Sequence, residues 1–445
     1  MEISPDSQSR DQKVVRIGFR NILAILWVGT AGQIAWAVEN SWFNTFVYDR
    51  ITTSPRPIAW MVAVSAITAM LTTLLMGTLS DRTHGKWGRR KPYIVFGYIF
   101  WGIITAIYPM IEWIQNIGIS VVFVVITDAV MTFFGSTSND AAYNAWLKDV
   151  SQSSNRNRIQ SINNIAGYLA SAITFVAAGF IIDNYGYFVF FYALGGIVTV
   201  TGLISTILIP SIPAEKDSAK FKRSYAKELG DLLNPKILKE NKILFLLFLN
   251  MALGGIASQV YSPYILIFWE NYVGFSKTEM SIYLAVYIIA VILIYIIIGL
   301  ISHKFNRKPL IFYGTLFKSF FTVGLGIASY FISYFMSVKI IVFVIYFLTT
   351  IPSVAVSIVH GGWLLDKYPE GTVGKFQGIR MIFMVLLPMV IGPPIGAWAI
   401  ETWGIPTIDG FIPTPPIFII GGLISILAVI PIIFIQRSEG RIHFN

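Results

Sequence analysis

The hydrophobic positions of this chain come in long unbroken runs separated by short polar loops, not in strict alternation. Twelve runs are predicted as spans, at 21–48, 57–79, 92–113, 117–147, 159–182, 187–210, 243–270, 278–301, 309–333, 338–365, 376–400 and 415–436. Each meets the roughly 20 apolar residues that a helix needs to cross a ~30 Å hydrocarbon core. Read as strands, the same runs would leave open sheet edges in lipid, where unpaired backbone groups are not tolerated. The expected fold class is therefore an all-α membrane protein of twelve transmembrane helices. A 55% hydrophobic and 13% charged composition, with a mean hydropathy of +0.67, leaves little chain for a soluble domain.

The chain also repeats itself. Gly77 to Pro92 reads GTLSDRTHGKWGRRKP, and a shorter copy, GLISHKFNRKP, runs from Gly299 to Pro309. A shift of 221 pairs Ser41 with Ser262, Tyr48 with Trp269 and Asp49 with Glu270. Beyond the shortened loop the shift becomes 217, pairing Arg90-Lys91-Pro92 with Arg307-Lys308-Pro309, Gly97 with Gly314, Asp149 with Asp366, Arg158 with Lys375 and Gly179 with Gly396. Ordered matches at a nearly constant shift indicate duplication. The repeat unit holds six helices, an even number, so both copies have one orientation and an axis along the membrane normal relates them. The expected organisation is a tail at 1–20, a six-helix bundle at 21–210, a linker at 211–242, a second six-helix bundle at 243–436 and a tail at 437–445.

Charge fixes an expected orientation. The net charge of +10 could suggest nucleic acid, but its distribution argues otherwise. The tails and the loops on their side hold 27 Lys and Arg, whereas the opposite loops hold four, Arg50, Arg56, Lys277 and Lys339. By the positive-inside rule both termini are cytoplasmic. The first twenty residues lack the apolar core and cleavage site of a signal peptide, so the first helix is expected to stay as an anchor. No cysteine is present, which excludes disulfides and thiolate metal sites.

The segment SDRTHGKWGRRKPYI, Ser80 to Ile94, resembles the loop between helices 2 and 3 of the major facilitator superfamily. Its Asp-Arg, Gly-Arg-Arg and Pro are most similar to the sucrose:proton carriers of plants and their animal relatives, within the glycoside–pentoside–hexuronide symporter group. WAVENS (Trp36 to Ser41) and DAAYNAWLKD (Asp140 to Asp149) resemble helices 1 and 4 of that group. The resemblance implies two pseudo-symmetric six-helix bundles, transport by alternating access, and a role for Asp140 on sugar hydroxyls. The group's sodium-coupled members carry two aspartates on helix 2, whereas SAITAMLTTLLM, Ser65 to Met76, has no carboxylate. Hard-cation coordination needs charged oxygen ligands, so no metal and no cofactor is expected, and the alternatives are a coupling proton or uncoupled facilitation. Asn144 stands where the sucrose carriers place an arginine.

The residues carry a reading of their own. Asp81, Arg82, Arg89 and Arg90, with Asp149 and Arg158 flanking the next loop on the same side, form a candidate inner gate of Arg–carboxylate pairs; the alternative for the arginines is simple topological retention. Intramembrane ionisable groups mark pathways or proton sites by default. On helix 1, Gln33, Asn40 and Asn44 fall within roughly 40° of one another, a stripe suited to hydroxyl-rich cargo or to interhelical packing. Glu39 points elsewhere, beside Trp36. A carboxyl among apolar side chains holds a proton more readily than one in water, which makes Glu39 the first proton-coupling candidate, with Asp128 and Asp140 on helix 4. Those two aspartates lie about 18 Å apart along a regular helix and cannot share a site. Trp36, Asp140, Asn139, Gln259 and Tyr264 complete the expected substrate-binding set, aromatic faces suiting sugar rings. Lys318 is deep enough to require an acidic partner, and His360 reads as a packing residue.

The expected function is proton-coupled symport of a sugar or glycoside. The partners are that small molecule and membrane lipids, with no nucleic acid and no obligate protein partner. The alternatives are a facilitator of lipids or amphiphilic drugs and a non-transporting sensor. No nucleotide-binding loop, metal cluster or nucleophile–base spacing points to an enzyme.

Overall fold

In a computed structural model, residues 17–152, 155–212, 240–301, 304–331, 338–368 and 373–438 are described. Most of the expected linker and nearly all of both tails lie outside them. The described chain is helical apart from one two-stranded hairpin. The membrane-spanning helices are Phe19–Arg50, Arg56–Arg82, Lys91–Trp113, Ile117–Asp149, Arg158–Leu208, Lys242–Val273, Lys277–Ile301, Arg307–Tyr330, Lys339–Leu364, Gly378–Trp403 and Pro416–Ile435. The 51-residue member is too long for one crossing. It bends at Gly186, whose φ of +82° excludes most L side chains, and so supplies spans 5 and 6. Twelve spans result, with the fifth and sixth divided where the sequence predicts.

Several spans depart from the regular helices expected. Span 1 breaks between Glu39 and Trp42, with Ser41 at φ −136°, ψ −71°. Asn40 Nδ2 donates to the Trp36 carbonyl at 2.8 Å and Ser41 Oγ to that of Ala37 at 2.5 Å, a local alternative to the helical ladder. Span 7 breaks at Ser262–Tyr264, so the paired serines Ser41 and Ser262 mark the same interruption in both copies. In span 4, Ser136–Tyr143 is a π-helix, a wider winding found most often at functional positions.

One buried apolar cluster runs through both halves and a smaller one lies within the second half, and the two halves meet mainly through span 5 on span 8 and span 2 on span 11. Gly179 allows the first of these contacts, since a Cβ there would collide with the Lys277 carbonyl; its N–H donates to Ser281 Oγ at 2.9 Å. Its paired glycine, Gly396, packs instead on Val260 and Tyr264 within the second half. Between spans 11 and 12 strands β1 (Ile405–Pro406) and β2 (Phe411–Ile412) form an antiparallel hairpin not expected from the sequence. It docks on the loop between spans 1 and 2, where Phe411 N donates to Thr53 O at 3.2 Å and Tyr48 Oη to Phe411 O at 3.2 Å.

Candidate functional site

The end of the molecule bearing loop 83–90 and residues 304–306 is called here the basic end, and the opposite one the far end. At the far end the halves are stitched together. Lys277, at the start of span 8, lies 2.8 Å from Asp49 and also pairs with Glu270. Tyr187 donates to Asp49 at 2.7 Å, Arg56 makes a bidentate pair with Glu401 at 2.5 and 2.9 Å, and Asp183 accepts from Thr278 N and Oγ1, both at 2.7 Å. Tyr264, expected to face cargo, is buried here, and its hydroxyl lies within hydrogen-bond distance of the Pro55 and Pro393 carbonyls. It bridges the halves instead of lining an open cavity, because the break in span 7 redirects it.

The basic end differs. Arg89 makes a bidentate pair with Asp149 at 2.7 and 3.2 Å, while Arg90, almost fully buried, reaches Asp81, Asp149 at 3.3 Å and Ser80 at 2.6 Å. Arg307 pairs with Asp366, the repeat of Arg90 and Asp149, but both are about half exposed. Between described residues, each ion pair at this end lies inside one half. Among the described residues, Asp81, Arg89, Arg90 and Asp149 of the expected inner gate form a clamp within the first half. Arg82 and Arg158 are exposed. Gly88, at φ +74°, seats the loop on the chain leaving span 6: a Cβ would lie 2.5 Å from Ile212 O, to which Arg89 N donates at 3.0 Å.

Between these ends the first half buries two acids. Thr132 Oγ1 lies 2.9 Å from Glu39 Oε1 and 3.0 Å from Ser65 Oγ, and Ser65 in turn donates to Asp128. Glu39, Ser65, Asp128 and Thr132 are all buried, and they come from spans 1, 2 and 4. A hydroxyl has one proton to donate. With both acids ionised, Thr132 donates to Glu39 and Ser65 to Asp128, and no hydrogen lies between the two hydroxyls. One added proton on Glu39 lets it donate to Thr132, Thr132 to Ser65 and Ser65 to Asp128, so that every link holds one hydrogen, while Glu39 Oε2 and Asp128 Oδ1 stay buried without a partner among the described residues. The arrangement has the chemistry of a one-proton store. Sequence reasoning found its acids but missed Ser65 and Thr132; hydroxyl residues are common in spans, and their pairing depends on the rotation of three helices.

The other expected site residues separate. Asp140 is half-buried, accepts from Ser136 at 3.0 Å and lies close to the Trp36 indole N–H without closing a hydrogen bond. Trp36 packs on Trp101 at a centroid distance of 5.0 Å. Gln33 and Asn40 are exposed, whereas Asn44 is buried beyond the helix break, so the three do not form the continuous stripe that a regular helix predicts. Asn139 is buried against Gly32 and accepts from Tyr98 at 3.2 Å, and Gln259 packs on Gly392. Lys318 bonds Ser258 Oγ at 2.9 Å and Gly254 O at 3.4 Å; among the described residues no carboxylate pairs with it, contrary to expectation. Its neighbours on span 7 are small, and a neutral oxygen takes the place of the acid. His360 is buried, and its Nε2 has no hydrogen-bond partner among the described residues.

A family model described as the Major Facilitator Superfamily matches residues 22–360. The chain belongs to the major facilitator superfamily. Solved structures agree on the fold of this facilitator. A D-xylose-proton symporter superposes with a TM-score of 0.68 at 13% identity, covering 93% of this chain and 97% of that one. A bacterial homologue of the human lysosomal transporter Spinster, in an inward-facing and occupied conformation, gives 0.69 at 11%, covering 95% and 98%. The nucleoside transporter NupG gives 0.65 at 15%, covering 94% and 99%. No curated protein sequence matches the chain. The facilitator is an integral membrane transporter.

Proposed function

We infer that this facilitator couples movement of a sugar or glycoside to a proton, by alternating access between bodies at 21–210 and 243–436 joined by the 211–242 linker. The observation that carries the reading is the buried chain Glu39–Thr132–Ser65–Asp128, in which one added proton gives every link a hydrogen. Intramembrane acids bonded only to neutral hydroxyls are costly unless they load and unload. Asp140, within the π-helical stretch Ser136–Tyr143 and close to Trp36, is the candidate acceptor for cargo hydroxyls, with the exposed Gln33 and Asn40 of span 1 as further candidates. The basic end is assigned to the cytoplasm of a cell membrane, both termini with it. The far-end stitches then describe a carrier closed to the outside. The similarity of the Ser80–Ile94, Trp36–Ser41 and Asp140–Asp149 segments to the glycoside–pentoside–hexuronide group supports the cargo class.

The test is uptake of a panel of radiolabelled mono- and disaccharides into proteoliposomes, with and without an inward proton gradient. The expected result is gradient-driven accumulation of at least one sugar, lost in Glu39→Gln, with equilibrium exchange retained. Absence of accumulation for every sugar, or undiminished uphill uptake by Glu39→Gln, overturns the reading.

A further inference from the structure

The second half places a charge where the first half places an indole. In the first half Trp36 lies close to Asp140 and packs on Trp101 at 5.0 Å. The shifts of 221 and 217 carry Trp36 onto Ala257, Trp101 onto Lys318 and Asp140 onto Ser357. Both rings are lost, and the carboxylate becomes a hydroxyl. Lys318 is turned roughly 100–160° around span 9 from the exposed Tyr313, Phe317 and Phe320, and its Nζ reaches span 7, 2.9 Å from Ser258 Oγ and 3.4 Å from Gly254 O. It points into the bundle.

The ammonium has only neutral partners among the described residues. Tyr261 and Thr322 beside Ser258 add further hydroxyls, and no described carboxylate pairs with Lys318. An ammonium carries three donors, and a cation inside a span without an anion is costly. Space for an anion is present. A Cβ at Gly254 would meet nothing within 4 Å, and Lys318 itself is only half-buried. On span 10, Ser353, Ser357 and Gly361 fall within roughly 80° of one another; Ser357 and Gly361 are exposed, and a Cβ at Gly361 is likewise unobstructed. Small and hydroxyl-bearing side chains leave the ammonium reachable, at the position that Asp140 and its indoles occupy in the first half.

We propose that Lys318, with Ser258, binds one singly charged anion, either a free halide or the carboxylate of an acidic cargo. One ammonium among neutral hydroxyls matches one negative charge, which charge-assisted hydrogen bonds then hold. The site is separate from the Glu39–Asp128 chain, and only its carboxylate form rests on the sugar reading. Binding is read from the chloride-35 NMR line width in sulfate buffer with the full-length protein in a neutral detergent. Excess broadening is expected, most of it lost in Lys318→Met, which keeps the stem without the charge, and in Gly254→Leu, which fills the open space; matched thermal unfolding establishes that both variants fold. Glucuronate, acetate and glucose are then titrated against chloride. Displacement by glucuronate at a concentration at least about tenfold below that of acetate assigns the anion to a cargo carboxylate, and displacement no better than that of acetate assigns it to a free ion. Displacement by glucose at the same concentration as glucuronate overturns the proposal, because charge then does not decide occupancy. So does the absence of broadening by the wild-type protein, and so does broadening that persists in either variant. The sugar uptake panel decides the coupling reading separately.

Discussion

Asp49 and Glu270, 221 positions apart and equivalent in the two halves, grip the same side chain, Lys277. The same shift pairs Lys277 with Arg56, which holds Glu401 across the other half of the interface. Duplication thus supplied both sides of the far-end closure, and divergence made them unequal: Lys277 is 9% exposed with two acids, Arg56 is 70% exposed with one.

Lys277→Ala should therefore open the far end more than Arg56→Ala. Removing one partner of a mostly buried pair costs about 3 kcal/mol, whereas an exposed pair contributes below about 1 kcal/mol. The chain has no cysteine, so cysteines introduced at Asn184 and Ile282 report the change by spin-label distances without background. Equal opening by the two variants would show that burial does not set the difference.

Gly179 and Gly396 are paired in sequence but not in use. Gly179→Val places a side chain against the backbone at Lys277 and should favour the far-end-open state while each half stays folded. Gly396→Val strikes Val260 and Tyr264 inside one half and should lower the thermal unfolding temperature instead.

Thr132→Val and Ser65→Ala keep both acids but cut the hydroxyl chain. Each should reduce gradient-driven uptake at least about tenfold, the scale of a lost buried hydrogen bond to a charged group, while leaving counterflow exchange. Wild-type uphill uptake by both variants would separate Glu39 from Asp128 in the mechanism.

Arg90→Ala should destabilise the first half by about 3 kcal/mol, since it leaves Asp149 nearly buried with only Arg89 as ionic partner. Arg307→Ala removes an exposed pair, and its effect should stay under about 1 kcal/mol. Urea unfolding in mild detergent compares them.

Gly88→Ala combines a left-handed backbone with a contact on Ile212. A loss of about 1–2 kcal/mol from conformation alone is expected, together with faster proteolysis of the loop near Trp87.

The apolar runs determined the number of spans, because crossing the bilayer core imposes a length that any sequence must display. The separate runs 159–182 and 187–210 and the 221 and 217 shifts likewise announced the fifth and sixth spans and the duplication. Side-chain partnerships were a different matter. Asn44 left the stripe because Asn40 and Ser41 bonded their own backbone, and Tyr264 turned from cargo to closure when span 7 broke. Ser65 and Thr132 became the link between two acids through the relative rotation of spans 1, 2 and 4. Lys318 found a serine where an acid was expected. Length and periodicity are properties of one segment and can be read from it; which polar atom meets which depends on angles between segments, and only the packed structure fixes those.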